Sequence, residues 1–142
     1  MRSDLQPGLT FEWQYTVPPR ATVPNLYHDT AICRDMPDVL ATGYMVGLLE
    51  LACLNGILPY IDWPDEQSVG THVDFSHLAA TPAGMTVTIK GELIEIDGRR
   101  LKFRVEAWDG IDKIAEGMHE RVVINPERFN DRLVQKKAQA GL

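Results

Sequence analysis

The sequence predicts an α+β fold in which one long apolar helix lies against an antiparallel sheet. Three observations carry that prediction. Residues 39–60 are apolar almost all the way round, the mark of a helix that packs inside rather than on a surface. From Val69 to Ile124 the pattern changes to a series of alternating runs, the mark of half-buried strands. Asp97-Gly98 and Asp109-Gly110 punctuate those runs as two-residue hairpin signals, so successive strands run antiparallel and the helix is segregated to one face.

The elements follow in order. Leu9 to Val17 alternates Phe11, Trp13 and Tyr15 with Glu12 and Gln14, a half-buried strand that Pro18-Pro19 stops. Residues 20–38 have no period and are rich in Pro, Asp and Thr, so they form a long loop of the kind that often serves as a lid. Pro37 and Asp38 suit the first turn of the long helix, and Pro59 and Pro64 end it. Gly43 and Gly47, four apart, predict close backbone approach to a packed surface. Val69–His77 then alternates Thr71, Val73, Phe75 and His77 inward. Met85–Ile96, Leu101–Ala107 and Ile111–Ile124 follow as three more strands. Pro126 to Gln139 reads as a polar helix anchored by Phe129 and Leu133.

Composition bounds the function. A chain of 142 residues is the size of one domain, and no internal boundary interrupts residues 1–142. Its net charge of −6 disfavours nucleic acid, which needs a basic surface. The N-terminus has no apolar signal core, so a cytoplasmic protein is expected. A membrane span over 39–60 is disfavoured by Glu50, Asn55 and Pro59 and by the strands that need a helix to pack on. Cys33 and Cys53 show no disulfide or zinc spacing, and Cys53 reads as a small buried hydrophobe. A sheet wrapped on one helix leaves its edges and part of the helix uncovered, so a homodimer is expected.

Two polar residues interrupt the apolar helix. Glu50 stands among Leu48, Leu49, Leu51 and Ala52, where an unpaired buried carboxylate costs several kcal/mol. An ion pair with an arginine is its ordinary explanation. Thr42 has an ordinary role too, as a cap or a back-bonded hydroxyl. Eight residues of helix span about 12 Å and turn about 80°, so the two side chains cannot bond within one straight helix. A site using both needs the helix to begin near Thr42, a bridging group, or a second subunit. His72 and His77, five apart, lie on opposite faces of a strand and are poor joint metal ligands. His77 ends an inward-facing alternation beside a Thr-Pro-Ala-Gly turn, and His119-Glu120-Arg121 reads as a solvated or ion-paired cluster. No phosphate loop, nucleophile elbow or zincin motif is present.

Several separated motifs nevertheless occur together and in order. They are Ala41-Thr42-Gly43-Tyr44-Met45-Val46-Gly47-Leu48-Leu49-Glu50, Gly70-Thr71, His77 through Gly84, and His119-Glu120-Arg121. With Asn25-Leu26-Tyr27, Asp97-Gly98-Arg99-Arg100-Leu101 and the tail from Pro126 to Lys137, the chain resembles the fluoroacetyl-CoA thioesterase family. The resemblance implies a hot-dog fold, a sheet curved round one helix, and a homodimer with sites near the subunit interface. It carries catalytic roles to Thr42, Glu50 and His77, and contacts near the acyl thioester to Gly70 and Arg121. It also implies an acyl-CoA substrate, with no metal and no cofactor besides the coenzyme A of the substrate.

These residue types suit thioester hydrolysis. Glu50 can attack or activate water, His77 can shuttle a proton near neutral pH, and Thr42 can orient them. Gly70 N–H and Arg121 can face the developing charge. One departure concerns the lid before the helix. The family's aromatic positions fall on Cys33 and Met36, a thiol and a flexible thioether, so a less rigid lid of different shape is expected. Two other readings stay open on sequence alone: an acyl-CoA hydratase or dehydratase of the same fold, and a non-catalytic acyl-CoA or small-ligand binding protein.

Overall fold

The computed structural model describes all 142 residues. Five strands form one antiparallel sheet: β1 (Thr10–Thr16), β2 (Gln67–His77), β3 (Thr86–Asp97), β4 (Arg100–Trp108) and β5 (Lys113–Ile124), in the spatial order β1-β3-β4-β5-β2. The segment before the long helix holds 3₁₀ turns at Pro19–Ala21 and Ala31–Asp35 and a single α-turn, α1 (Val23–Leu26). The long helix α2 spans Thr42–Ile57, and α3 (Pro126–Gln139) follows the last strand.

The sheet curves over α2. Met45, Leu48, Leu49, Ala52, Cys53 and Ile57 are buried on one side of the helix. They share a core with inward residues of β3 and β4, among them Val87, Ile89, Leu93, Leu101, Phe103 and Val105. Each such side chain contributes about 1.5–3 kcal/mol of burial. Burial pushes the Cys53 thiol up to about 12, so it is the small neutral hydrophobe the sequence predicts. Phe11 locks β1 onto this core. Its ring occupies the space where a β-carbon on Gly91 of β3 or on Gly56 of α2 would lie, so both positions need glycine.

α2 is not buried all round, however. Gly43, Gly47 and Leu51 lie on a face the sheet does not reach, and Leu51 is 45% exposed. The expected tight packing at the two glycines holds only at Gly43, which meets the Tyr27 hydroxyl. Gly47 faces open space.

Other expectations are corrected in detail. α2 begins at Thr42, not at Pro37-Asp38, because the chain just before it is held extended. Leu40 bridges Thr22, and its N–H donates to the Thr81 carbonyl at 2.7 Å. Thr71 is the extra residue of a bulge in β2, which keeps Gly70 opposite Arg121 and Val73 opposite His119. The helix α3 matches its predicted bounds, with the Asn125 side chain capping Arg128 N–H at 3.0 Å. Yet Phe129 and Leu133 do not anchor it: α3 stands off the core and buries no residue.

The β4–β5 turn is longer than its Asp-Gly signal implies, since the strand resumes only at Lys113. Asp109 organises it. The carboxylate accepts from Ile111 N–H at 3.0 Å, Asp112 N–H at 2.8 Å and the buried Thr81 hydroxyl at 2.9 Å. Burial alone raises this carboxyl, but those bonds outweigh it and hold it below the usual range. Asp109→Ala leaves three donors unpaired and is expected to destabilise the fold by about 2–3 kcal/mol at pH 7 in a denaturant titration. A depressed carboxyl contributes stability above its unfolded value. The gap to the wild type therefore narrows as pH falls below the ordinary aspartate value of about 4 and on through the depressed value of the folded Asp109.

Candidate active site

The polar residues of the helix fall into two separate clusters. At the first turn of α2, the exposed Thr42 hydroxyl lies 2.8 Å from Nδ1 of His77, the last residue of β2. The other ring nitrogen, Nε2, is buried and has no partner. Burial pushes the His77 imidazole below its ordinary value of 6.5, partly offset by the Ala79 backbone, so the ring is neutral at pH 7. A hydroxyl bonded to a neutral imidazole is a proton-transfer pair.

Two helical turns further on, Glu50 faces the inner side of β5. Its Oε1 lies 3.8 Å from Arg121 Nη1 and 3.7 Å from His119 Nε2. The alternation of β5 turns His119 and Arg121 inward and leaves Glu120 outside, so of the two expectations, solvated or ion-paired, the first is corrected and the second holds for Arg121. His119 is 0% exposed. Its Nδ1–H donates to the His72 carbonyl at 2.7 Å, leaving the Nε2 lone pair to accept from Arg121 Nη1–H at 3.1 Å. Burial depresses the His119 imidazole, and Arg121 depresses it further against the opposing pull of the His72 carbonyl and Glu50. The neutral ring is therefore no ion-pair partner for Glu50, and Arg121 is.

Arg121 is itself fixed. Nε donates to Ser68 Oγ at 2.9 Å and Nη2 to the Ser68 carbonyl at 2.8 Å. Burial lowers its pKa and Glu50 opposes this, yet a guanidinium keeps its proton at neutral pH. Gly70 completes the cluster: a β-carbon there would collide with the Glu50 carboxylate and crowd His119. The sequence offered Arg121 and Gly70 as candidates but missed Ser68 and the inward His119. Carrying the alternation of β5 back from Val123 points to both His119 and Arg121.

Glu50 is not sunk in the core, as the apolar helix suggested. Its side chain is 36% exposed because it lies on the uncovered face of α2. It opens onto a cavity of about 330 Å³ lined by Gly47, Leu51, Leu54 and Arg121. Gly47 and Leu51 also border an apolar cavity of about 600 Å³ that reaches Tyr15, Tyr27 and Tyr44. The Tyr15 and Tyr44 hydroxyls are joined there at 2.6 Å. An open groove thus runs along α2 from Gly43 past Glu50. Cys33 and Met36 lie in and after the 3₁₀ turn at Ala31–Asp35, Met36 exposed and Cys33 half-buried. No hydrogen bond of either cluster reaches them. No group of three His, Cys, Asp or Glu side chains is placed to hold a metal ion.

The separation of the clusters matches the helical arithmetic. Thr42 and Glu50 start and continue one helix, each with its own partners, and do not touch. Each cluster has half of what acyl transfer needs: a hydroxyl–imidazole pair in one, a fixed carboxylate beside a guanidinium in the other.

Comparison with known proteins gives this arrangement a context. Residues 23–127 match the model of a family described as fluoroacetyl-CoA-specific thioesterase. The fluoroacetyl-CoA thioesterase of Streptantibioticus cattleyicolor is 46% identical over 141 residues, covering 99% of this chain and 100% of the relative. A crystallised variant of a fluoroacetyl-CoA-specific thioesterase, solved with fluoroacetate and CoA, superposes with a TM-score of 0.84 at 46% identity, over 88% of this chain and 99% of that one. A thioesterase-superfamily protein of Thermus thermophilus is 26% identical with a TM-score of 0.85, over 98% of both chains. The architecture is the hot-dog fold that the resemblance implied.

Proposed function

The chain belongs to the fluoroacetyl-CoA-specific thioesterase family and is a thioester hydrolase, and from that premise we propose that it cleaves a short acyl-CoA at two composite sites of a homodimer. Each site joins Thr42 and His77 of one protomer to Glu50, Gly70 and Arg121 of its partner. The observation that carries this reading is the split itself: Thr42 and Glu50, each with its own polar partners, are held apart on one helix. The open apolar face of α2 and the exposed edge strand β2, with Val73 in it and Leu78 just after it, supply the surface for a second copy.

In the reaction, water adds to the thioester carbonyl while Glu50 takes its proton. Arg121 and the Gly70 backbone stabilise the oxyanion that forms. The carbonyl then re-forms as the C–S bond breaks, and the CoA sulfur takes up the proton that Glu50 removed from water, relayed through the Thr42 hydroxyl and the neutral His77 imidazole, so that all three side chains end as they began. Acid and CoA are the products. Met36 and Cys33 are assigned to the lid over the acyl end, where a flexible thioether and a small thiol accept acyl groups beyond fluoroacetyl.

The test is thiol release from fluoroacetyl-, acetyl-, propionyl- and aryl-acyl-CoA. Turnover of at least one short thioester is expected; binding without thiol release, or hydration of crotonyl-CoA instead, contradicts the reading. The pH profile is a second check. His77 works from its neutral form and its pKa is depressed, so the acid limb of kcat/KM is expected below 6.5. A limb well above that value removes His77 from the role.

A further inference from the structure

The proposed substrate carries more than a thioester: its CoA ends in an adenine, a pyrophosphate and a 3′-phosphate. Arg121 does not serve those phosphates, because Ser68 and His119 hold it in a buried position beside Glu50, at the thioester end of the substrate. Elsewhere Arg104 is paired with Glu92, and Lys113 with Glu106 and Glu116. Another group of cations shares one groove. Between the end of β5 and the first turns of α3 lies a groove of about 330 Å³, lined by Arg99, Arg128 and Arg132 together with Phe129 and Ile124. No carboxylate lines it, in a chain whose net charge is −6.

Arg128 and Arg132 are one helical turn apart on α3, both exposed, and neither pairs with a carboxylate. Arg99 contributes less, since Glu66 Oε2 lies 3.6 Å from its Nη1. Phe129 shares the groove and is 37% exposed, an unusual cost for an aromatic on a helix that touches no core. Unpaired guanidinium forks beside an open ring are what a nucleotide needs: bidentate donors for phosphate and a face for the base. The groove reaches Val122, the neighbour of Arg121 in β5, with the alternation of the strand turning the two side chains to opposite faces of the sheet.

We infer that this groove seats the nucleotide end of the CoA thioester, with Arg128 and Arg132 on its phosphates and Phe129 against its adenine. The inference deepens the acyl-CoA reading and rests on it for the identity of the ligand. It also gives α3 a role that packing does not: the helix carries the recognition groups.

The test separates the two claims. Adenosine 3′,5′-bisphosphate, titrated calorimetrically into the full-length protein at low salt, is expected to bind saturably. The double variant Arg128→Gln/Arg132→Gln is expected to weaken it by at least about tenfold. The same variant is expected to lower kcat/KM for acyl-CoA relative to the truncated acyl-pantetheine by a similar factor. Absent binding, equal binding by the variant, or an unchanged substrate ratio overturns the proposal. Inorganic pyrophosphate binding as tightly as the nucleotide also overturns it, because the groove is then a simple anion site. A wild type that binds the nucleotide through these arginines but releases no thiol contradicts the hydrolase mechanism and leaves the groove standing.

Discussion

Replacing Glu50 by Gln is expected to lower kcat for a short acyl-CoA by at least about a thousandfold. The amide keeps the size and hydrogen-bonding reach of the carboxylate but can neither take a proton from water nor attack a carbonyl. The fold is expected to survive. Glu50 lies on the open face of α2, outside the cluster of Leu48, Leu49 and Ala52 that holds the helix to the sheet. Arg121 keeps its two bonds to Ser68 and its bond to His119 without it. The change in stability is therefore expected within about 1 kcal/mol. Thiol release and a denaturant titration on the same sample check both halves. An unchanged kcat removes Glu50 from the chemistry and returns it to the ordinary role of an arginine's partner.

Arg121→Met is expected to damage both stability and rate. The guanidinium joins four groups at once: the Ser68 hydroxyl, the Ser68 carbonyl, the His119 ring and the Glu50 carboxylate. A thioether fills much of its volume and replaces none of its donors. Leaving those buried acceptors unpaired is expected to cost about 2–4 kcal/mol. The loss of a fixed partner for Glu50 is expected to lower kcat by about a hundredfold at saturating substrate. Arg121→Lys is expected to restore little, because a single ammonium cannot span Ser68 and His119 in the plane that a guanidinium does. Full rescue by Lys means that charge alone matters there, and the positioning argument fails.

Much of this was legible in the residues. Alternation located the strands because each has one face on the core, and the bounds of α3 follow from Pro126 and the capping Asn125. What escaped depends on contacts distant in sequence. The start of α2 is set by Leu40 bonding to Thr81 and bridging Thr22, which no local signal announces. The bulge at Thr71 preserves the pairing of Gly70 with Arg121 at the cost of the simple alternation in β2. Glu50 looked buried because its neighbours are apolar, but it shares with Leu51 the face of the helix that the sheet leaves open. Likewise the polarity of His119-Glu120-Arg121 hid the fact that its outer two members point inward. The separation of Thr42 from Glu50 was legible from helical geometry alone, and the structure supplies each with its own partners.

That separation is the centre of the account, and a mixed dimer tests it. A Thr42→Ala chain and a Glu50→Gln chain are co-expressed with different tags, and the heterodimer is purified through both. If each site joins Thr42 of one protomer to Glu50 of the other, both substitutions fall in one site and the second site is intact. The heterodimer is then expected to show about half the wild-type kcat per dimer, while each homodimer is inactive. A heterodimer as inactive as its parents places Thr42 and Glu50 in the same protomer's site and contradicts the composite arrangement.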